Sequence, residues 1–327
     1  MQRSLTSIRI LLFAAAAALL PHLAAHSADY PSRPIRIIVP FGPGGITDII
    51  ARQVAKGMSE RLGQSVFIEN KPSAGHVVSL QAAAQSQPDG YTILLGSNTG
   101  FTVTPHVYQN LRIDVTSFPI IAPINLSPTM LLARPDFPAN TMDELVKMAK
   151  TRPGTLNYGS FGVGTSAHLG MEIFKRDTGI DITHVPYKGD APAILALMSK
   201  EVDVAFITLF SSQQRIRSGE FKGLGTLQAK RITNFPNDIQ TTVEAGSKNA
   251  DMAVWIAFFA PPKTPPEIVK KLEATTRAVT GSPEFREFLR ERGSEPMEMD
   301  NAQLAQFIRT QSDRIGPIAK AVGLTPE

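Results

Sequence analysis

The residues best placed to bind something in this chain are glycines. Val39 to Asp48 reads VPFGPGGITD and Asn157 to His168 reads NYGSFGVGTSAH; each leads a short apolar strand into a helix. Glycine lets backbone N–H groups approach a ligand closely, because no Cβ stands in the way. A helix that starts at the C-terminal edge of a sheet also aims the positive end of its dipole at that edge, which suits an anion. Either run alone reads equally well as a tight turn; the pairing, one run in each half of the chain, favours a carboxylate held from two sides. Hydroxyl donors stand close by in Ser160, Thr165 and Ser166, and again in Ser97 and Thr99. Asp48 falls in the first turn of its helix. There it would oppose an anion, and the expectation is a structural residue that caps free N–H groups.

Catalytic chemistry fits less well. There is no Cys, and beyond residue 28 the histidines are His76, His106, His168 and His184. No HExxH and no paired ligand spacing occurs, so neither a metal site nor a cofactor is expected. His168 follows Ser166 in GTSAH, which would make an exported serine hydrolase the alternative function. The hydrolase elbow needs G-x-S-x-G, however, and the final glycine is missing. A packed or capping His168 is the expectation. GPGGITD lacks the Lys-Ser/Thr ending of a phosphate loop, and GSFGVG does not have the GxGxxG spacing.

Composition narrows the field further. The chain has 327 residues, 43% hydrophobic and 19% charged, which excludes disorder and a multi-span membrane protein. Residues 1–28 read as a signal peptide. Arg3 and Arg9 precede an apolar run, Ile10 to Leu20, too short to span a bilayer; Pro21 then breaks it, and small residues offer cleavage after Ser27 or Ala28. The mature chain would keep 31 basic and 29 acidic residues, a net charge of +2. With no basic stripe, nucleic acid is not an expected partner. Without cysteine the exported chain has neither a disulfide framework nor a lipid-anchoring thiol.

The glycine runs need elements to position them. Ile35 to Pro40 predicts a buried strand, and Ile46, Ile49, Ile50, Val54, Met58 and Leu62 predict a helix up to Gly63. Strands at Val66–Glu69 and Tyr91–Leu95, with a helix including Leu80–Ala84 between them, complete a β-α-β-α-β series that predicts a mainly parallel sheet. A passage punctuated by Pro119, Pro123, Pro128, Pro135 and Pro138 reads as an extended crossover. A second α/β series follows: helices at Met142–Lys150, Ser166–Thr178 and Ala191–Lys200, and strands at Leu156–Gly159, Ile182–Val185, Val202–Ile207 and Gly223–Leu227. The tail from Pro265 is predicted mostly helical. If the chain crosses back near Asp251 to Trp255, that tail packs on the first unit. The expected organisation is residues 29–126 with 251–327 as one lobe, 127–250 as the other, and a cleft between them.

With these residues in view, the sequence resembles the Bug family, the extracytoplasmic solute receptors of tripartite tricarboxylate transporters. The resemblance rests on Arg33 to Arg52, Ile68 to Gly75, PDGYTILL (Pro88 to Leu95), YGSFGVGTSAHL (Tyr158 to Leu169), HVPYKG (His184 to Gly189), EAG (Glu244 to Gly246) and Trp255 to Pro266. It implies an α/β, two-lobed Venus-flytrap of the type II periplasmic binding protein kind. It further implies a non-enzymatic periplasmic receptor for a di- or tricarboxylate or an aromatic acid, serving a membrane permease or a sensor, with monomer as the default state. The family's carboxylate grip maps onto Phe41 to Gly45 and Ser160 to Thr165. The binding set expected on both grounds is Phe41, Gly42, Pro43, Gly44, Gly45, Thr47, Ser97, Asn98, Ser160, Gly162, Gly164, Thr165 and Thr208. Two departures bear on the ligand. His76 stands where the family commonly carries glycine, either lining the pocket as an added donor or exposed in a loop. Ile207 stands where the family often has Asp, with Thr208 and Phe210 nearby, which suggests a less polar wall suited to an aromatic or longer-chain acid.

Overall fold

Short buried strands and amphipathic helices alternate through most of the chain. The computed structural model describes residues 30–108, 111–228, 231–232, 239–247, 250 and 252–321. The expected signal peptide, with its cleavage site, lies outside them, as does Asp251. Residues Arg33–Glu327 cluster as one unit that carries two sheets.

The first sheet is built on β1 (Ile35–Val39), whose IRIIV sequence is buried at four of five positions. It pairs in parallel with β2 (Val66–Asn70) and β3 (Thr92–Ser97). Helix α1 (Ile46–Leu62) connects β1 to β2, buries Ile46, Ile50, Val54 and Met58, and ends on Gly63 in the left-handed conformation. Ile49, expected on the same face, is exposed instead. Helix α2 (Val77–Ala84) leads to β3, and a π-helical turn (Thr99–Val103) runs into the short α3 (Thr104–Val107).

The proline-rich passage differs from expectation. It is two strands, β4 (Ile120–Ser127) in the first sheet and β5 (Thr129–Ala133) in the second, with only Pro128 between them. Each proline sits where a missing N–H costs little. Pro119 precedes β4, Pro135 and Pro138 follow β5, and Pro123 falls where the register with the partner strand shifts.

The second sheet adds β6 (Asn157–Ser160), β7 (Thr183–Pro186), β8 (Val204–Thr208) and β9 (Lys222–Thr226), in the order β7-β6-β8-β5-β9. Its helices are α4 (Met142–Thr151), α5 (Ser166–Thr178), α6 (Asp190–Met198) and α7 (Leu209–Arg217). The chain then re-enters the first sheet as β10 (Val254–Phe259), antiparallel to both β3 and β4. Both sheets are therefore mixed rather than mainly parallel. The continuous apolar run VWIAFF is itself the signal of a buried strand, and with the two-residue β11 (Glu295–Pro296) at the edge it takes a central position in the order β11-β4-β10-β3-β1-β2. Helices α8 (Pro266–Thr280), α9 (Pro283–Arg290) and α10 (Asn301–Ala321) complete the fold.

Apolar clusters anchor these layers, and two of them meet the last helix. Leu94, Phe101, Phe118, Trp255, Phe259 and Leu304 pack together on the first sheet, with Phe101 and Phe259 stacked at 3.9 Å. Leu131, Tyr158, Phe174, Phe206 and Leu227 form the core of the second, and that cluster also takes in Val103, Val107, Ile315 and Ile318. The last helix therefore begins on one core and ends on the other.

Trp255 is the sole tryptophan, fully buried with its indole N–H donated to Gln311 Oε1 at 3.1 Å, so its emission reports the integrity of the first core. Phe259→Ala is expected to cost about 3–5 kcal/mol, measured as an earlier urea transition of Trp255 fluorescence. A change under about 1 kcal/mol would contradict the packing described.

Candidate functional site

The two glycine turns have the same backbone. Gly44 (φ +84°) and Gly164 (φ +71°) occupy the left-handed region that favours glycine. Each is followed by an extended N-cap, Gly45 at φ −79°, ψ 170° and Thr165 at φ −80°, ψ 167°, and then by the helix, α1 from Ile46 or α5 from Ser166. In both, the glycine N–H is bound by the side chain four residues on. Gly44 N–H donates to Asp48 Oδ2 at 3.0 Å and Gly164 N–H donates to His168 Nδ1 at 3.0 Å. Asp48 and His168 thus both serve as the caps expected of them. They also leave a difference between the turns. Gly45 supplies no side-chain cap to α1, whereas the Thr165 hydroxyl accepts from His168 N–H.

A supporting layer fixes each cap. Asp48 is buried and bidentate to Arg52, at 2.8 and 3.0 Å, and accepts from Asn70 Nδ2 at 2.9 Å. Burial alone would raise its pKa, but the hydrogen bonds from Arg52, Gly44 and Asn70 and the Arg52 charge outweigh it and hold the carboxyl below the usual range. His168 stacks on His184 at 4.0 Å, and His184 stacks on Tyr158 at 4.7 Å. His184 Nε2 lies 2.7 Å from Ser160 Oγ, which also bonds the Gly162 N–H and C=O. This Ser–His pair organises the second turn. Ser166 Oγ, the nucleophile of the alternative hydrolase, is buried with no hydrogen-bond partner, and His168 Nδ1 is occupied by Gly164.

The turns face each other across a cavity of about 470 Å³. Phe41, Gly42, Ser73, His76 and Thr99 line one side, and Phe161, Gly162, Thr165, Tyr187 and Lys188 the other. A recess of about 50 Å³ shares Phe41, Gly42, Phe161 and Lys188 with it and adds Pro43, Gly45, Ile46, Thr47, Asp190 and Thr208. Of the expected set, Phe41, Gly42, Pro43, Gly45, Thr47, Gly162, Thr165 and Thr208 therefore come together on these walls. Ser97, Asn98, Ser160 and Gly164 are buried and Gly44 is exposed, and none of the five lines these walls: Ser97 Oγ meets His76 Nδ1 at 3.4 Å, the Asn98 carbonyl accepts from Thr102 Oγ1 at 2.6 Å, and the other three hold the turns as described.

Phe161 lies within the expected Ser160–Thr165 turn although outside the expected binding set, and sequence reasoning missed Tyr187, Lys188 and Asp190. These three lie in or next to the YKG portion of HVPYKG, whose Gly189 (φ +117°) starts α6 and makes a third strand–glycine–helix turn. His76 is 4% exposed, so the exposed-loop alternative does not hold. Ile207 turns into the core of the second sheet. The wall beside it is not less polar, because the buried Asp190 carboxylate accepts from the hydroxyls of Thr208 and Ser211. Burial raises the Asp190 pKa against the opposing effect of those hydrogen bonds.

Burial also lowers His76 and His184 to about 3 and His168 to about 4; His168 itself depresses His184 further, and Glu172 partly offsets burial at His168. Between these values and 6.5, the unfolded chain binds protons that the folded protein refuses. Stability is therefore complete above pH 6.5 and lost as pH falls towards 4, by about 1–2 kcal/mol per histidine at pH 5, less for the half-buried His184. Urea midpoints at pH 7 and pH 5 test this, and a flat profile would refute it.

Residues 50–324 match the family described as "Tripartite tricarboxylate transporter family receptor". A relative from Bordetella pertussis, a protein of the UPF0065 group, is 63% identical over 303 residues, covering 93% of this chain and 94% of its own. Among solved structures, an R. palustris protein with adipate aligns with a TM-score of 0.85 at 33% identity, covering 91% of this chain and 100% of its own. The periplasmic binding protein BugD aligns with a TM-score of 0.83 at 33% identity over the same shares. The two-sheet architecture is thus that of a two-lobed periplasmic binding protein. The chain belongs to the tripartite tricarboxylate transporter family receptors, a family of solute receptors rather than enzymes.

Proposed function

We propose that the mature protein is a periplasmic receptor that captures a small carboxylate between its two glycine turns and delivers it to the permease subunits of a tripartite tricarboxylate transporter. The observation that carries this reading is the repeated turn. One backbone design recurs at Gly44-Gly45 and Gly164-Thr165; Phe41 and Gly42 of the first run and Phe161, Gly162 and Thr165 of the second line one cavity, and Gly45, Ile46 and Thr47 at the start of α1 line the recess that shares Phe41 and Phe161 with it. The adipate bound by the R. palustris relative supports an acid as the ligand class. Phe41, Gly42, Pro43, Gly45 and Thr47 would contact the ligand from one lobe, and Gly162, Thr165 and Thr208 from the other, with Gly44, Ser97, Asn98, Ser160 and Gly164 holding them in place. The lobes would comprise residues 29–126 with 251–327, and 127–250, and the receptor would work as a monomer after removal of residues 1–28. No Arg clamp lines the cavity among the described residues. Ordered water can bridge an acid to backbone N–H groups at small cost.

Thermal unfolding of the mature protein with matched acids and amides tests the reading. An acid at about 100 times its dissociation constant adds about 2.7 kcal/mol to the folded state, which raises the midpoint by several degrees, and its amide should not. A neutral compound that shifts the midpoint when no acid does would overturn it.

Gly45→Val provides a second test. A Cβ at Gly45 meets only the Gly42 carbonyl, at 3.8 Å, and the φ of −79° suits any residue. The variant is therefore expected to fold with a midpoint within about 2 °C of the parent while its isopropyl group blocks the turn. Isothermal titration should show affinity for the acid reduced roughly tenfold or more; unchanged affinity counts against the two-turn site.

A further inference from the structure

We infer that His76 is a specificity-determining residue, whose Nε2–H donates to a second oxygen group of the ligand, apart from the carboxylate held by the glycine turns. The inference rests on the carboxylate reading and adds to it the residue that reads the ligand's second oxygen, whether hydroxyl, keto or carboxyl.

Three independent observations meet at this residue. His76 lines the large cavity and is 4% exposed, yet its Nε2 has no hydrogen-bond partner. A buried polar atom left unpaired is costly and rare in native proteins, and an oxygen placed in the cavity beside it would remove that cost. The backbone is also unusual. Gly75 and His76 are both left-handed, at φ 57° and 58°, and a non-glycine residue is disfavoured there. The surroundings enforce it. Thr104 Oγ1 donates to the Gly75 carbonyl at 2.6 Å, Ser79 Oγ donates to the His76 carbonyl at 2.8 Å, and a Cβ at Gly75 would collide with the Tyr108 ring.

The ring itself is fixed from two sides. Its edge-to-face contact with Phe41 has a centroid distance of 4.6 Å, and Ser97 Oγ lies 3.4 Å from Nδ1. A Ser97 hydroxyl that donates to Nδ1 places the proton on Nε2, the donor an oxygen group requires. Burial keeps the ring neutral, with its pKa lowered to about 3, so it acts as a dipole without a counter-charge. The fold brings Ser97 to Nδ1 and leaves Nε2, buried in a ring that lines the cavity, without a partner.

The test compares chain-length-matched diacids and monoacids, succinate with butyrate and adipate with hexanoate, by titration calorimetry on the parent, His76→Phe and His76→Asn. Asn tolerates the left-handed backbone, so it guards against loss of fold. The parent should prefer the diacid, and both variants should lose roughly five- to hundredfold for the diacid while the monoacid changes less than about twofold. In parallel, long-range ¹H–¹⁵N spectra of the histidine-labelled parent should show the Nε2–H form of His76 and a shift of Nε2 on adding the diacid. Equal losses for both acids, or an unmoved Nε2 signal in the bound protein, would overturn the inference and leave the carboxylate reading standing. A parent that binds monoacids only would do the same. A parent that binds no acid at all would overturn both.

Discussion

The architecture of the cleft turns on two backbone N–H groups that are bound from within their own turns. Left-handed Gly44 and Gly164 each direct an amide away from the ladder of the preceding strand. Gly164 is buried, and its amide left unpaired would cost as much as a lost hydrogen bond; Gly44 is exposed, and its bond to Asp48 fixes the turn instead. A side chain four residues along binds the amide in both cases, Asp48 in one and His168 in the other. This closes the turn on itself and orients the following helix. Everything at the cavity wall, from the extended caps at Gly45 and Thr165 to the first-turn amides beyond them, takes its direction from that closure.

The two solutions differ in charge, and their supports differ accordingly. Asp48 stays ionised because Arg52 and Asn70 share its carboxylate, so the charge beside the first turn is neutralised locally. His168 stays neutral because it is buried against a second neutral ring, His184, and needs no counter-ion. Neither turn adds net negative charge to the space between them. That is the electrostatic condition for a receptor that relies on amide dipoles rather than on arginine. Asp190 also reaches the wall as an acid, and its hydrogen bonds from Thr208 and Ser211 occupy it within the protein.

The sequence made the local plan of each lobe legible because its signals are local. Strand, glycine and helix succeed one another within twenty residues, and Asp48 and His168 lie four positions from the amides they cap. Long-range placement was harder to read. Val254–Phe259 joins the middle of a sheet whose neighbouring strands lie more than a hundred residues earlier, so its apolar run looked like a connection rather than a strand. Prolines in Ile120–Ala133 masked two strands because a strand boundary and a register shift, both tertiary features, make them tolerable. At the site, the burial of His76 could not be foreseen, since it depends on Phe41, Ser97 and Tyr108 closing around a short loop. Asp190 was missed because its relevance comes from Thr208, eighteen residues away and on a strand of its own.

The course of the last helix bears on how such a cleft can move. Leu304 packs in the cluster around Trp255, and Ile315 and Ile318 in the cluster around Phe174, so the helix spans both cores like a strap. Pro317 lies within it and removes the amide that would bond one turn back, next to Gly316, which lies close against His106. The two cores are thus joined by the direct β4–Pro128–β5 passage and by one helix whose proline-weakened turn falls at its second anchorage. Any rotation of one core against the other about that passage would load the helix between Leu304 and Ile315. Gly316–Pro317 falls between Ile315 and Ile318, both seated in the second core, so the weakened turn loosens how the strap grips that core, while the stretch between Leu304 and Ile315 carries the load from one core to the other.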